Sequence, residues 1–192
     1  MKQLFLLPFA ITILSLMFSC KPDPVGPSGE IPDLVINLDF EENGTSFETL
    51  NFTYEKQQPG SGETAAANGS YQSITDLFLT QVLGKPGSLG PTFLITGPIN
   101  GLTAGTYQVS TLDATNPLAN AYSSFVTENG DRFTSSSGTF KMSNVELFAD
   151  VGGSTLQEYF VDIEVNMTMQ TDDGTRTITA SGSMKGINIK GN

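Results

Sequence analysis

The sequence predicts an all-β protein, an antiparallel β-sandwich or barrel of about eight to ten strands. Three observations predict it. Apolar and polar residues alternate with period two along most of the chain. Asn129-Gly130 and Asp173-Gly174 each stand between two such runs, which is the sequence mark of a hairpin. Charged residues make up only 15% of the 192 and Gly contributes 20, a composition unlike that of a helical bundle.

The elements follow in order. In "DLVINLDF" Leu34, Ile36, Leu38 and Phe40 share one face, with Asp33, Asn37 and Asp39 opposite. In "FETLNFTYE" Leu50, Phe52 and Tyr54 form the apolar set. Gln57 to Gly69 is polar and Gly-rich and reads as a mobile loop. "SITDLFLTQVLG" reads as a strand with Leu77, Leu79 and Leu83 on one face; Ile74, Leu77, Phe78 and Gln81 also fit helical spacing, with Ser73 as N-cap. "PTFLITG" and "GTYQVS" are two short strands around the turn-rich "PINGLTAG".

A hairpin follows in "YSSFVTENGDRFTS", and "GTFKMSNVEL" carries a strand through Phe140 and Met142 that resumes near Val145 and Leu147. The clearest element is "VDIEVNMTMQ". Val161, Ile163, Val165, Met167 and Met169 take one face; Asp162, Glu164, Asn166, Thr168 and Gln170 take the other. After the Asp173-Gly174 turn, Ile178, Ala180 and Met184 are apolar at even positions, but Ile187 and Ile189 are odd. A bulge near Gly186 accounts for that change of parity.

The N-terminus has a different character. Lys2 is followed by an apolar run from Leu4 to Phe18, and then by Ser19 and Cys20. Fifteen residues span roughly 22 Å as a helix, short of the roughly 30 Å bilayer core. The layout is that of an export signal covering residues 1–19. Residues 20–30, "CKPDPVGPSGE", read as a modified Cys followed by a flexible, Pro- and Gly-rich tether. A single β domain occupies residues 31–192.

Leu16-Met17-Phe18-Ser19-Cys20 resembles a bacterial lipobox, although Met17 and bulky Phe18 depart from its strict form. Relaxed versions of this kind resemble those of small Bacteroidota outer-membrane lipoproteins. The mid-chain "GTY", the "SGTF" strand and the closing "ITASGSMKGINI" are similar to such proteins as well. The resemblance implies acylation of Cys20 with cleavage before it, and a β domain facing the periplasm or the cell surface. It brings no known activity. The membrane is then a partner through lipid on Cys20. Several acyl chains on one residue make a firm anchor without any helix.

Composition narrows the function further. The net charge is −11; losing residues 1–19 removes Lys2 and no acid, leaving 8 bases, 20 acids and −12. Such a chain repels phosphate backbones and is not expected to bind nucleic acid. It contains no His, which removes the usual triads, the commonest general base and most zinc sites. We therefore expect a non-enzymatic binding or structural domain with no cofactor, no metal and no catalytic residues.

Four motifs are candidates for chemistry. Asp172-Asp173-Gly174 lacks the later ligands of a calcium loop and reads as a turn. Asp162 and Glu164 have a spacing compatible with paired carboxylates in sugar hydrolysis, and equally with a solvated strand face. Glu41-Glu42 beside Asn43-Gly44 reads as a solvated acidic turn. Tyr54, Tyr71, Tyr107, Tyr122 and Tyr159 could stack on sugars if they lined one groove. Two alternatives to a structural or protein-binding role remain open: a lipocalin-like barrel holding a small apolar ligand, and a carbohydrate-binding module of a polysaccharide-uptake system.

Overall fold

Two-residue turns set the first boundaries. In the computed structural model, Asn43 and Gly44 adopt φ of 53° and 75° and join strands β1 (Leu34–Glu42) and β2 (Thr45–Tyr54). Eight further strands follow: β3 (Ala66–Gln72), β4 (Leu77–Leu83), β5 (Thr92–Pro98), β6 (Gly105–Ser110), β7 (Tyr122–Val126), β8 (Arg132–Asp150), β9 (Gln157–Thr171) and β10 (Thr177–Gly191). The only helical element among the described residues is a single 3-10 turn, Glu55–Gln57. The structure describes residues 29–57, 66–84, 90–113, 115–116, 119–150 and 157–191. The expected signal, Cys20 and the expected tether up to Ser28 lie outside those residues.

Seven strands close a barrel in the order β10-β3-β4-β5-β7-β8-β9, with β9 pairing back to β10. Six junctions are antiparallel, and β10 with β3 is parallel. A ring with an odd number of strands cannot alternate direction throughout, so one parallel junction is obligatory. The remaining strands extend the sheet: β1 and β2 lie beyond β10, and β6 lies beside β8. One wall is therefore a six-stranded antiparallel sheet, β2-β1-β10-β9-β8-β6. The other wall is β3-β4-β5-β7.

Two long strands change neighbour along their length. β10 pairs with β1 through residues 178–185 and with β3 through 188–191. β8 pairs with β7 through 132–134 and with β6 through 137–142. Each change coincides with a register shift, between Met184 and Ile187 in β10 and between Ser135 and Ser137 in β8. The first is the bulge expected from the parity change. Gly186 takes φ of 66°, and both Ile187 and Ile189 are buried.

The core follows the alternation. Leu34, Ile36, Leu38 and Phe40 of β1, the five apolar residues of β9, and Ile178, Ala180 and Met184 of β10 are all buried. At the centre Phe40 stacks on Phe125 at 3.6 Å and meets Phe93 edge-on at 5.7 Å. Phe140 lies between Phe78 at 5.9 Å and Tyr107 at 5.0 Å.

Two expectations are corrected. The segment Leu77–Leu83 is a strand, but its core face is Phe78, Thr80 and Val82; Leu77, Leu79 and Leu83 are half-buried on the opposite face. A run of consecutive apolar residues carries no parity, and the Phe78 ring is the one that reaches Phe140. The loop expected over Gln57 to Gly69 ends sooner, because residues 66–72 form β3. Ala66, Ala67 and Gly69 have low strand preference. Gly69 is nevertheless suited to its place, since a Cβ there would collide with the Ile189 side chain and the Leu79 carbonyl. Close approach to β10 selects a residue that local propensity disfavours.

Candidate functional site

The outward side chains of the six-stranded sheet form ladders. One row runs Asn51, Asn37, Ser183, Glu164, Lys141, Thr106 across β2, β1, β10, β9, β8 and β6. The next runs Thr49, Asp39, Ser181, Asn166, Thr139, Gln108. Between them lies an inward row, Leu50, Leu38, Gly182, Val165, Phe140, Tyr107. Gly182 is the gap in that row. Its φ of 130° is open to glycine alone, and a Cβ would collide with the carbonyl oxygen of Asn37.

Gly182 is itself exposed, and two concavities meet over it. A concavity of about 430 Å³ is lined by Thr106, Thr139, Lys141, Glu164, Asn166 and Ser183. A second, of about 320 Å³, is lined by Asn37, Asp39, Thr49, Asn51 and Ser181. Both reach Gly182, so they form one trough crossed by β10. The lining offers three primary amides, five hydroxyls and two carboxylates. Lys141 and Glu164 stand 3.6 Å apart with more than half of each side chain exposed, so their attraction is largely screened. Asp39 accepts a hydrogen bond from the Ser46 hydroxyl. The surface suits a neutral ligand with many hydroxyls or amides.

The sequence-derived candidates fall in various places. Asp162 is engaged by two donors. One oxygen accepts the amide of Gly186 at 2.9 Å and the other accepts Asn144 Nδ2 at 2.7 Å. Glu164, on the same face, belongs to Lys141. Asp173 accepts the Thr171 hydroxyl, the Thr175 amide and the Thr175 hydroxyl, which hold its pKa down at about 2. That is the hydrogen bonding of a hairpin turn. Among the described residues no group of three or more carboxylate, His or Cys side chains is placed to hold a metal ion. The acidic turn is not merely solvated. Glu42 forms a bidentate pair with Arg176, at 2.8 and 2.9 Å, and the bonds to the guanidinium lower its pKa.

The tyrosines divide. Tyr54 is buried and Tyr122 stands apart on β7. Tyr71, Tyr107 and Tyr159 converge at one end of the barrel, although they are far apart in sequence. Tyr71 donates to Asp76 at 2.7 Å, Tyr107 to the Thr103 carbonyl at 2.7 Å and Tyr159 to Gln157 at 2.5 Å. Burial, then the bond to Asp76, raises the Tyr71 pKa to about 12, with further contributions from Tyr107 and Tyr159. None of the three lines the trough.

Sequence reasoning missed the trough. Its only linear signal is Gly182 inside the alternating run "TRTITASGSM", where a strand glycine marks a bulge or a close approach. No family model, curated protein or solved structure matches this chain.

Proposed function

We propose that this protein is a lipid-anchored envelope protein whose β domain binds a polar, uncharged ligand, a glycan, on the outer face of the six-stranded sheet. The trough over Gly182 carries the reading. Its amides and hydroxyls come from rigid strands, and each can both donate and accept. Hydrogen bonds fixed by a sheet favour a ligand with regularly spaced hydroxyls. The ligand lies on the outer face rather than inside, because Phe40, Phe93, Phe125 and Phe133, all buried, fill the space between the two walls. A small apolar ligand inside would have to displace them. The reading is of a non-enzymatic binding domain; the chain has no His, and Asp162 is held by two donors.

Anchoring rests on the signal layout and on Cys20. Cells fed a palmitate analogue should label the wild-type protein and not Cys20→Ala. Equal labelling of the two refutes the anchor. The binding surface is tested on a glycan array. Binding that disappears in Asn37→Ala combined with Asn166→Ala, with an unchanged circular dichroism spectrum, supports it. No binding across a broad array, or binding indifferent to these changes, refutes it.

A further inference from the structure

Four large apolar side chains are exposed among the described residues: Ile31, Phe47, Ile74 and Leu147. Phe47 lies near Phe133, at the end of the barrel that holds the β1–β2 and β7–β8 turns. The other three gather at the opposite end. Leu147 pairs across to Tyr159, Tyr159 to Ile189, and Ile189 to Gly69 of β3. Three residues past Gly69, β3 ends in the turn that carries Ile74, which is 90% exposed. The 99–104 connection joins the same end, where the Ile99 amide donates to the Asp76 carbonyl. The converging tyrosines Tyr71, Tyr107 and Tyr159 belong to this end as well.

The chain also enters the domain there. β1 runs antiparallel to β10, so residues 33 back to 31 run alongside β10 as it advances from Gly186. Pro32 and Asp33 lie directly against Gly186. Ile31, 44% exposed, is thus the point from which residues 20–30 depart. These eleven residues reach at most about 36 Å, which keeps this end nearest to whatever holds Cys20.

We infer that this end of the barrel is the membrane-facing one, and that the Ile74 turn, with Ile31 and Leu147, dips into the interfacial layer of the bilayer that carries the acyl anchor. The inference rests on the anchor proposed above. An isoleucine at the tip of a turn has nothing to gain in water, whereas the headgroup boundary accepts small apolar projections backed by tyrosines. The charge of the chain favours zwitterionic over anionic lipid. The orientation turns the Asn129-Gly130 turn away from the bilayer.

Depth-dependent quenching tests the inference on the full acylated chain. Acylation occupies the only native thiol, so Ile74→Cys and Asn129→Cys each introduce a single reactive one. Both sites are exposed. In phosphatidylcholine vesicles carrying doxyl groups on their acyl chains, the probe at 74 should be quenched several-fold more than the probe at 129. Equal quenching at both sites, or stronger quenching at 129, overturns the orientation. A parent chain that itself takes the thiol label on Cys20 refutes the anchor and removes the basis for the orientation with it.

Discussion

The hydroxyl of Ser135 accepts the amide of Ser123 at 2.9 Å. It also donates to the carbonyl of Ser110 at 2.8 Å. This occurs where β8 leaves β7 and takes β6 as its neighbour. A strand that changes partner leaves backbone groups on both sides without ladder bonds, and these need another partner when buried. Ser135, fully buried, supplies one for each side. Asp162 acts similarly at the other change, capping the Gly186 amide while Gln57 donates to the Gly186 carbonyl.

Ser135→Ala should therefore cost more than a surface hydroxyl. It strands a buried N–H and a carbonyl at once, for a loss of about 1–3 kcal/mol. Urea denaturation measures it. Ser136→Ala on the neighbouring position serves as the control and should cost less. Equal effects would show that the bridge is incidental.

Gly182→Ala tests the floor of the trough. Its Cβ meets the Asn37 carbonyl, and the φ of 130° is strained for any residue with a side chain. We expect destabilisation of about 1–3 kcal/mol and opening of the β1–β10 edge. Hydrogen exchange of the β1 amides reads that opening directly. Protection equal to that of the parent would remove glycine's special role here.

Val165→Asp and Asn166→Asp are adjacent but face opposite ways. Val165 is 3% exposed inside the core, while Asn166 lies on the solvent side. The first places an unpaired charge in an apolar interior and should cost about 3–5 kcal/mol. The second should be nearly neutral for stability. Thermal melts of the two variants decide whether the register is right.

The turn carboxylates make stability fall in acid. Asp173 has a folded pKa of about 2 against an ordinary 3.8, and Glu42 is lowered from 4.5. Lowered carboxylate pKa values give stability that is fully present above the unfolded values and lost as pH drops through the folded ones. The Asp173 part is lost between about pH 4 and about pH 2. Asp173→Asn should flatten the pH dependence in that window and change its slope little above pH 5. Arg176→Gln should flatten the Glu42 part, since the guanidinium bonds lower that group. Unchanged acid slopes in both variants would rule out these contacts as the cause.

Much of the fold was legible in the chain. The faces of β1, β2, β9 and β10 and the turns at Asn129-Gly130 and Asp173-Gly174 all stand as read, because alternation against water fixes which side chains go inward. The Leu77-Phe78-Leu79 run misleads, because three adjacent apolar residues satisfy either parity. β3 left no signal because Ala66, Ala67 and Gly69 have low strand preference, and Gly69 is needed for the close approach of Ile189. The acidic turn gave no hint that Glu42 meets Arg176, a residue 134 positions away.

The sequence alone determined the class and the rhythm: an all-β domain, its hairpins, and the burial of one face of most strands. These depend on neighbours two residues apart or on a short turn. Only the tertiary structure decided that seven strands close a ring through one parallel junction. It also decided that β8 and β10 each serve two neighbours, and that a trough over Gly182 gathers amides and hydroxyls from six strands. Those features depend on which strands meet across long separations, and strand order leaves no periodic trace in the chain.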